Sequence, residues 1–185
     1  MEAGSTAIVW AEFVNKGTSA WHHAETYLGT SSPQDRSSPF CNLPNWAGCN
    51  RPTEVDQWEV VTDAVGRFTF ILKAPTTPGT YTEKFKLVRE GVTWFGPEIT
   101  WTINVTASQG NLTGTVTNAS GGAAIAGASV TLTGVGSTTT NSSGVYTFNN
   151  VNAGTYAISV SATSFNAASD SVAITAGQTT TKNFS

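Results

Sequence analysis

The chain has 185 residues, a formal net charge of −3 and only 11% charged side chains. A weak negative charge excludes nucleic-acid binding, which needs clustered Lys and Arg against phosphates. Six Trp and nine Phe exclude the highly charged, aromatic-poor composition of a disordered chain. No run approaches the roughly 20 apolar residues that span a bilayer, so no membrane insertion is expected. The segment Met1 to Ser5 has neither a basic nor an apolar region, so no secretory signal is visible. Met1 is read as a start residue from which any leader has been removed.

Residues 7–14 are rich in β-formers and end in a turn at Asn15-Lys16-Gly17. The stretch from Gly29 to Asp56 is polar and reads as a long loop, of the kind that often carries function. It contains Cys41 and Cys49, with Pro44 and Gly48 between them. Such a spacer can close as a small disulfide loop, contributing about 2–3 kcal/mol in the chain-entropy model and implying an oxidising compartment. Two free thiols are the alternative. In residues 66–73, Phe68, Phe70 and Leu72 alternate with Arg67, Thr69 and Lys73, the period of a half-buried strand. Residues 81–88 and 94–105 supply further strands on either side of turn residues.

Composition changes near Ser108-Gln109-Gly110. All six Trp precede this point, and beyond it only Asp170 and Lys182 are charged. A domain boundary is expected there, giving residues 1–107 and 108–185. The second part reads as short strands at 112–116, 128–132, 145–148, 156–160 and 171–174, punctuated by glycines. Strands at this spacing argue a sandwich or barrel, and no amphipathic helix is visible. The fold class is therefore all-β, with two tandem Ig-like β-sandwich domains.

Several stretches in the first part carry a resemblance: Asn15-Lys16-Gly17-Thr18-Ser19-Ala20-Trp21, the run from Leu28 to Phe40, Asn50-Arg51-Pro52, Gly66 to Phe70, Ala74 to Tyr81, and Val88 to Gly96. In order and spacing, residues 7–105 resemble four-tryptophan Ig-like domains of bacterial extracellular type. The resemblance implies an accessory module without catalytic activity. It also implies one strand more than this sequence supplies before Ala7. A sheet lacking a strand leaves an unpaired edge that proteins usually cover, and a strand from another copy could fill it. The second part, through Gly114 to Thr117, Ile125 to Leu132, Thr140 to Phe148 and Val151 to Tyr156, resembles the carboxypeptidase-regulatory-like, transthyretin-like sandwiches. That resemblance implies a spacer or adhesion module. Lys–Asn crosslinks of related surface domains are not expected, because Lys182 is the sole lysine and the part has no Glu.

No catalytic set is expected. His22 and His23 are adjacent, so on a strand they point to opposite faces and do not share a metal. The carboxylates Glu54, Asp56, Glu59 and Asp63 lack the cleft that glycosidase acids need. Neither a cofactor nor a metal is expected. Asp35 and Arg36 are read as an internal ion pair organising the loop, with a ligand-facing pair as the alternative. Trp10, Trp21 and Trp94 are assigned to the core or its rim. Trp46 and Trp58 are the candidates for exposure and for stacking on sugar rings, with loop-anchor packing as the competing reading. Asn104, Asn111, Asn118, Asn141 and Asn183 begin Asn-x-Ser/Thr sequons, read either as chance in an Asn/Ser/Thr-rich chain or as glycosylated surface.

Two functions fit. One is a non-catalytic extracellular structural or adhesive surface protein, a filament subunit whose partners are other copies of itself. The other is a carbohydrate- or cell-wall-binding accessory module whose partners are surface glycans.

Overall fold

A computed structural model describes all residues, 1–185. The chain is all-β and divides into two compact units, residues 1–106 and 107–185. No helix is long and apolar enough to cross a membrane.

Unit 1 contains β1 (Thr6–Val14), β2 (Trp21–His22), β3 (Thr26–Thr30), β4 (Thr53–Glu54), β5 (Glu59–Val60), β6 (Val65–Lys73), β7 (Gly79–Arg89) and β8 (Thr93–Val105). Antiparallel β1 and β6 form one ribbon, β2 and β5 a second, and β4-β3-β7-β8 a four-stranded sheet. Alternation decides which face turns inward. On β6, Phe68, Phe70 and Leu72 are buried, and on β7 Glu83, Phe85 and Leu87 are. Between the layers lies a mainly aromatic core of Phe13, Trp21, Phe40, Trp46, Phe68, Phe70 and Phe85 with Leu28, Leu72 and Leu87. T-shaped pairs such as Phe13–Phe68 and Phe70–Phe85 hold it, each contributing about 1 kcal/mol beyond area burial.

The end of strand β3, Gly29 and Thr30, and all of β4 fall inside the stretch read as loop. Gly29 disguised the end of β3, because glycine weakens a strand signal. The glycine is required: a Cβ there would lie 2.5 Å from the Trp94 ring. Trp94 lies against this glycine, with the Arg51 guanidinium 5.0 Å from its centroid.

Unit 2 contains β9 (Gln109–Thr115), β10 (Ser129–Leu132), β11 (Gly136–Thr139), β12 (Val145–Asn152), β13 (Gly154–Ser161), β14 (Ala168–Ile174) and β15 (Thr179–Thr181). Its sheets run β11-β10-β13-β14 and β12-β9-β15. Strand β15 lies parallel to β9. The core is mainly aliphatic: Leu112, Val130, Leu132, Ile158, Val160, Val172 and Ile174, closed by Tyr146, Phe148 and Phe184. Gly114 permits the closure, since a Cβ there would meet the Lys182 carbonyl oxygen at 1.7 Å.

Candidate assembly face on unit 1

In unit 1, β1 pairs only with β6, and β8 only with β7 along its length. Their other edges are free. The inward side chains between these edges, Val9 on β1 and Phe95, Ile99, Trp101 and Ile103 on β8, pack against the core yet are only partly buried. Trp101 stacks on core Phe70 at 5.7 Å between ring centroids, 2° from parallel. With Ile8, Val9 and Trp10 it lines a shallow hollow of about 290 Å³. A second hollow of about 650 Å³ lies at the other end of β1, walled by Val14, Trp21, Phe95 and Pro97. The apolar interior of unit 1 is thus open between two unpaired strand edges.

One end of this opening is occupied. Glu2 makes a parallel bridge to Thr106. Thr106 N–H donates to the Met1 carbonyl at 2.9 Å, and Ala3 N–H donates to the Thr106 carbonyl at 2.8 Å. The Met1 ammonium donates to the Asn104 carbonyl at 2.9 Å. Met1 and Ala3 turn inward and pack against the core.

Near the other end of β8, Glu98 accepts from the Ser32 hydroxyl at 2.6 Å and pairs with Lys84 at 3.0 Å. The hydroxyl first, then the ammonium, holds the Glu98 carboxyl down at about 2.

The structure redistributes the residues singled out in the sequence. Cys41 and Cys49 form a disulfide, with Cα atoms 4.9 Å apart. Trp46 within that loop is not a stacking surface: it is 2% exposed. Its indole N–H donates to the Ile71 carbonyl at 2.6 Å, and its ring meets Phe70 edge-on at 5.9 Å. The loop is a lid whose underside is Trp46. Trp58 is 82% exposed and leans on the His23 ring at 6.1 Å. Trp10, assigned to the core or rim, projects outward from β1 against the Arg67 guanidinium at 4.9 Å.

Asp35 and Arg36 do not pair with each other. Asp35, at φ 62°, takes Arg51 at 2.5 Å. Arg36 turns to Glu83, bonding both carboxylate oxygens at 3.2 and 3.1 Å. The Glu83 side chain is 2% exposed and also accepts from Ser38 Oγ at 2.9 Å. Adjacent residues diverge, and each fastens the loop to a different partner. No local pattern could have revealed Glu83, which stands 47 positions away.

His22 lies opposite Glu59 in the β2–β5 ribbon, and His23 contacts Glu54 at 3.1 Å. All five sequon asparagines use their side-chain oxygen as an acceptor: Asn104 from Thr80, Asn111 from Asn150, Asn118 from Ser120, Asn141 from Ser143 and Val145, and Asn183 from Thr115. These bonds tie turns and strand ends, the ordinary work of Asn beside the backbone. Lys182 pairs with Asp170 at the surface.

A profile for the carboxypeptidase regulatory-like domain matches residues 111–185. No family matches the four-tryptophan reading of residues 7–105. No curated protein matches the sequence. Among solved structures, the Bacillus anthracis TIE protein aligns over 99% of this chain at 12% identity with a TM-score of 0.50. This chain spans 41% of that protein. The major pilin subunit of Bacillus cereus aligns over 95% of this chain and 58% of its own, at 11% identity and a TM-score of 0.36. The pilus 2b backbone protein of group B streptococcus aligns over 99% and 87%, at 14% identity and 0.36. At these identities the likeness to the TIE protein concerns the fold alone, and the two pilus proteins add nothing to it.

Proposed function

We propose that this chain is a non-catalytic structural or adhesive module of an extracellular surface, and that neighbouring copies join through the open side of unit 1 to build a filament. The observation that carries this reading is the pair of free edges, β1 and β8, flanking a half-exposed apolar row. Exposed edges invite pairing with another chain, and a contact between unlike surfaces that does not close generates a filament. The Cys41–Cys49 disulfide supports an oxidising compartment. The short-stranded second sandwich supports a spacer role, as its family match does.

Electron microscopy with light scattering over a concentration series tests this. Association that grows with concentration and yields linear particles is expected. A strictly monomeric particle at every concentration overturns it.

Trp58 keeps the second reading alive, because an 82% exposed indole is a ready platform for a sugar ring. Retention on chitin, cellulose or peptidoglycan that Trp58→Ala abolishes would favour that reading. Equal retention of both forms, or none, removes it.

A further inference from the structure

We infer that the outer face of the β1–β6 ribbon carries a binding site for a neutral pyranose ring of a β-linked glycan, stacked on Trp10 and held by the Arg67 guanidinium between the carboxylates of Glu12 and Asp56. The site stands apart from the reading carried by Trp58 and uses other residues.

Strand alternation gathers these groups on one face. On β1 the odd-numbered Val9, Ala11 and Phe13 pack inward, so Trp10 and Glu12 point outward. On β6 Phe68, Phe70 and Leu72 are buried, so Arg67 and Thr69 point outward. This face is turned away from the core against which Met1 and Ala3 pack. The register sets Trp10 opposite Thr69 and Glu12 opposite Arg67. A third line comes from the segment after β4. Asp56 N–H donates to the Arg67 carbonyl at 2.8 Å. The Asp56 carboxylate accepts from the Thr69 amide at 2.9 Å and from the Thr69 hydroxyl at 2.6 Å. Because the Thr69 side chain points outward, the second bond draws the carboxylate to the outer face. From strand spacing and rise, the whole set covers about 10 Å by 7 Å.

The groups are held in advance. The Arg67 guanidinium lies against the Trp10 ring, 4.9 Å from its centroid, and its Nε stands 3.1 Å from Glu12. That Nε is sealed from solvent without a well-directed hydrogen bond, whereas the side chain as a whole is 43% exposed. The accessible donors are therefore at the Nη end. A planar fork fixed in this way can bond two adjacent hydroxyls with little further loss of rotamer freedom. Trp10 is 54% exposed even with Arg67 against it, which leaves apolar ring surface for the C–H face of a sugar. The carboxylates of Glu12 and Asp56 retain lone pairs that accept from hydroxyls.

The order of polar and apolar groups selects the occupant. Protein interfaces keep charge out of their centre and gather it at the rim. Here the charges are central, with exposed Ile8 at one end of the ribbon and exposed Val14 and Val65 at the other. Two carboxylates beside one guanidinium make the set net negative, which disfavours acidic sugars and phosphates. An uncharged ring with an apolar face and equatorial hydroxyls around its edge matches all three parts, and β-linked glucans and chitin repeat such rings.

The test titrates the intact chain with cellohexaose or chitohexaose, both neutral and β-linked, and follows the amide and indole resonances by NMR. The Trp10 indole N–H and the Thr69 amide should shift with a dissociation constant of about 1 mM or tighter, while unit 2 resonances stay in place. Trp10→Ala should weaken binding by about tenfold or more. Arg67→Lys keeps the charge but loses the fork, and should also cost about tenfold. Both side chains point outward, so both variants should fold, and an unchanged spectrum elsewhere in unit 1 checks this. A hyaluronan hexasaccharide, β-linked but acidic, should bind about tenfold more weakly than the neutral sugars. Absence of a shift at Trp10 with either neutral sugar, unaltered affinity in either variant, or preference for the acidic sugar overturns the inference. Retention on chitin or cellulose separates this site from the Trp58 reading. Loss with Trp10→Ala but not with Trp58→Ala supports the Trp10 site alone, whereas the reverse leaves Trp58 standing and overturns this one.

Discussion

Both units place a chain-start strand beside a chain-end strand in parallel, but they finish the job differently. In unit 2 the pairing of β9 with β15 runs over three residues of β15, followed by the Val116–Phe184 bridge, and the core beneath is sealed. In unit 1 the equivalent pairing stops after Glu2 opposite Thr106, and the row from Val9 to Ile103 stays half open. Unit 1 compensates elsewhere. It has an aromatic rather than aliphatic core, a disulfide-closed lid, and ion pairs that pin the long loop. Unit 2 needs none of these, with one ion pair, Lys182–Asp170, on its surface. A small sandwich can thus close its core with a terminal strand, or hold it chiefly by side chains and a cross-linked loop.

Because all six Trp lie in residues 1–106, Trp fluorescence follows unit 1 alone, so the comparison can be broken one unit at a time. The largest effect is expected from Trp46→Ala, which empties the lid of its anchor and should lower unit 1 stability by about 3–5 kcal/mol. Chemical denaturation read by Trp emission measures it, and an effect below about 1 kcal/mol would show that the lid is dispensable. Glu83→Ala strands Arg36 and unpins the loop. The pair is largely buried, with Arg36 20% exposed, so about 3 kcal/mol is expected from the same measurement.

Gly114→Ala acts on unit 2. Its methyl collides with the Lys182 backbone and should displace β15, costing about 3 kcal/mol. Amide exchange should then rise at Thr179 to Phe184, and retained protection there would refute the role given to Gly114. Replacing both Cys41 and Cys49 by Ser should lower unit 1 stability by about 2–3 kcal/mol and leave unit 2 unchanged in exchange experiments.

The smallest effects are pH-dependent, and their signs differ. The Glu98 carboxyl sits at about 2 in the folded state against 4.5 ordinarily. Its contribution is present above about 4.5 and lost as pH falls through about 2. Ser32→Ala should weaken that acid-side loss in unit 1. Burial raises the Tyr146 hydroxyl to about 12 against 10.0, where it donates to the Lys182 carbonyl at 2.6 Å. That contribution is present below 10 and lost as pH rises through 12, and Tyr146→Phe should flatten it. Unfolding midpoints across pH, read by Trp emission and by exchange, separate the two.

Much of the strand content was legible. Phe68-Thr69-Phe70 and Ile99 to Val105 declare their faces by period two, and both are strands with those faces inward. Strands β11 and β15 were not legible, because Gly136 to Thr139 and Thr179 to Thr181 carry no apolar alternation. Pairing with β10 and β9 makes them strands. Trp10 alternates with Val9 and Ala11, so periodicity divided the β1 faces but could not say that the indole lay on the outer one. The partners of Asp35 and Arg36 are set by folding across the chain, beyond the reach of spacing. The inward row of β8 and the parallel rungs at Met1 are set by pairing across the chain, which no local spacing records.

The parallel seating of β15 on β9 has a mechanical corollary. Tension applied at the two ends of unit 2 pulls these strands past one another along their length. Every hydrogen bond from Thr179 to Thr181 then bears load in shear, together with the Val116–Phe184 bridge, rather than opening one at a time like a zip. Force-extension traces of this unit should show one abrupt, high-force rupture.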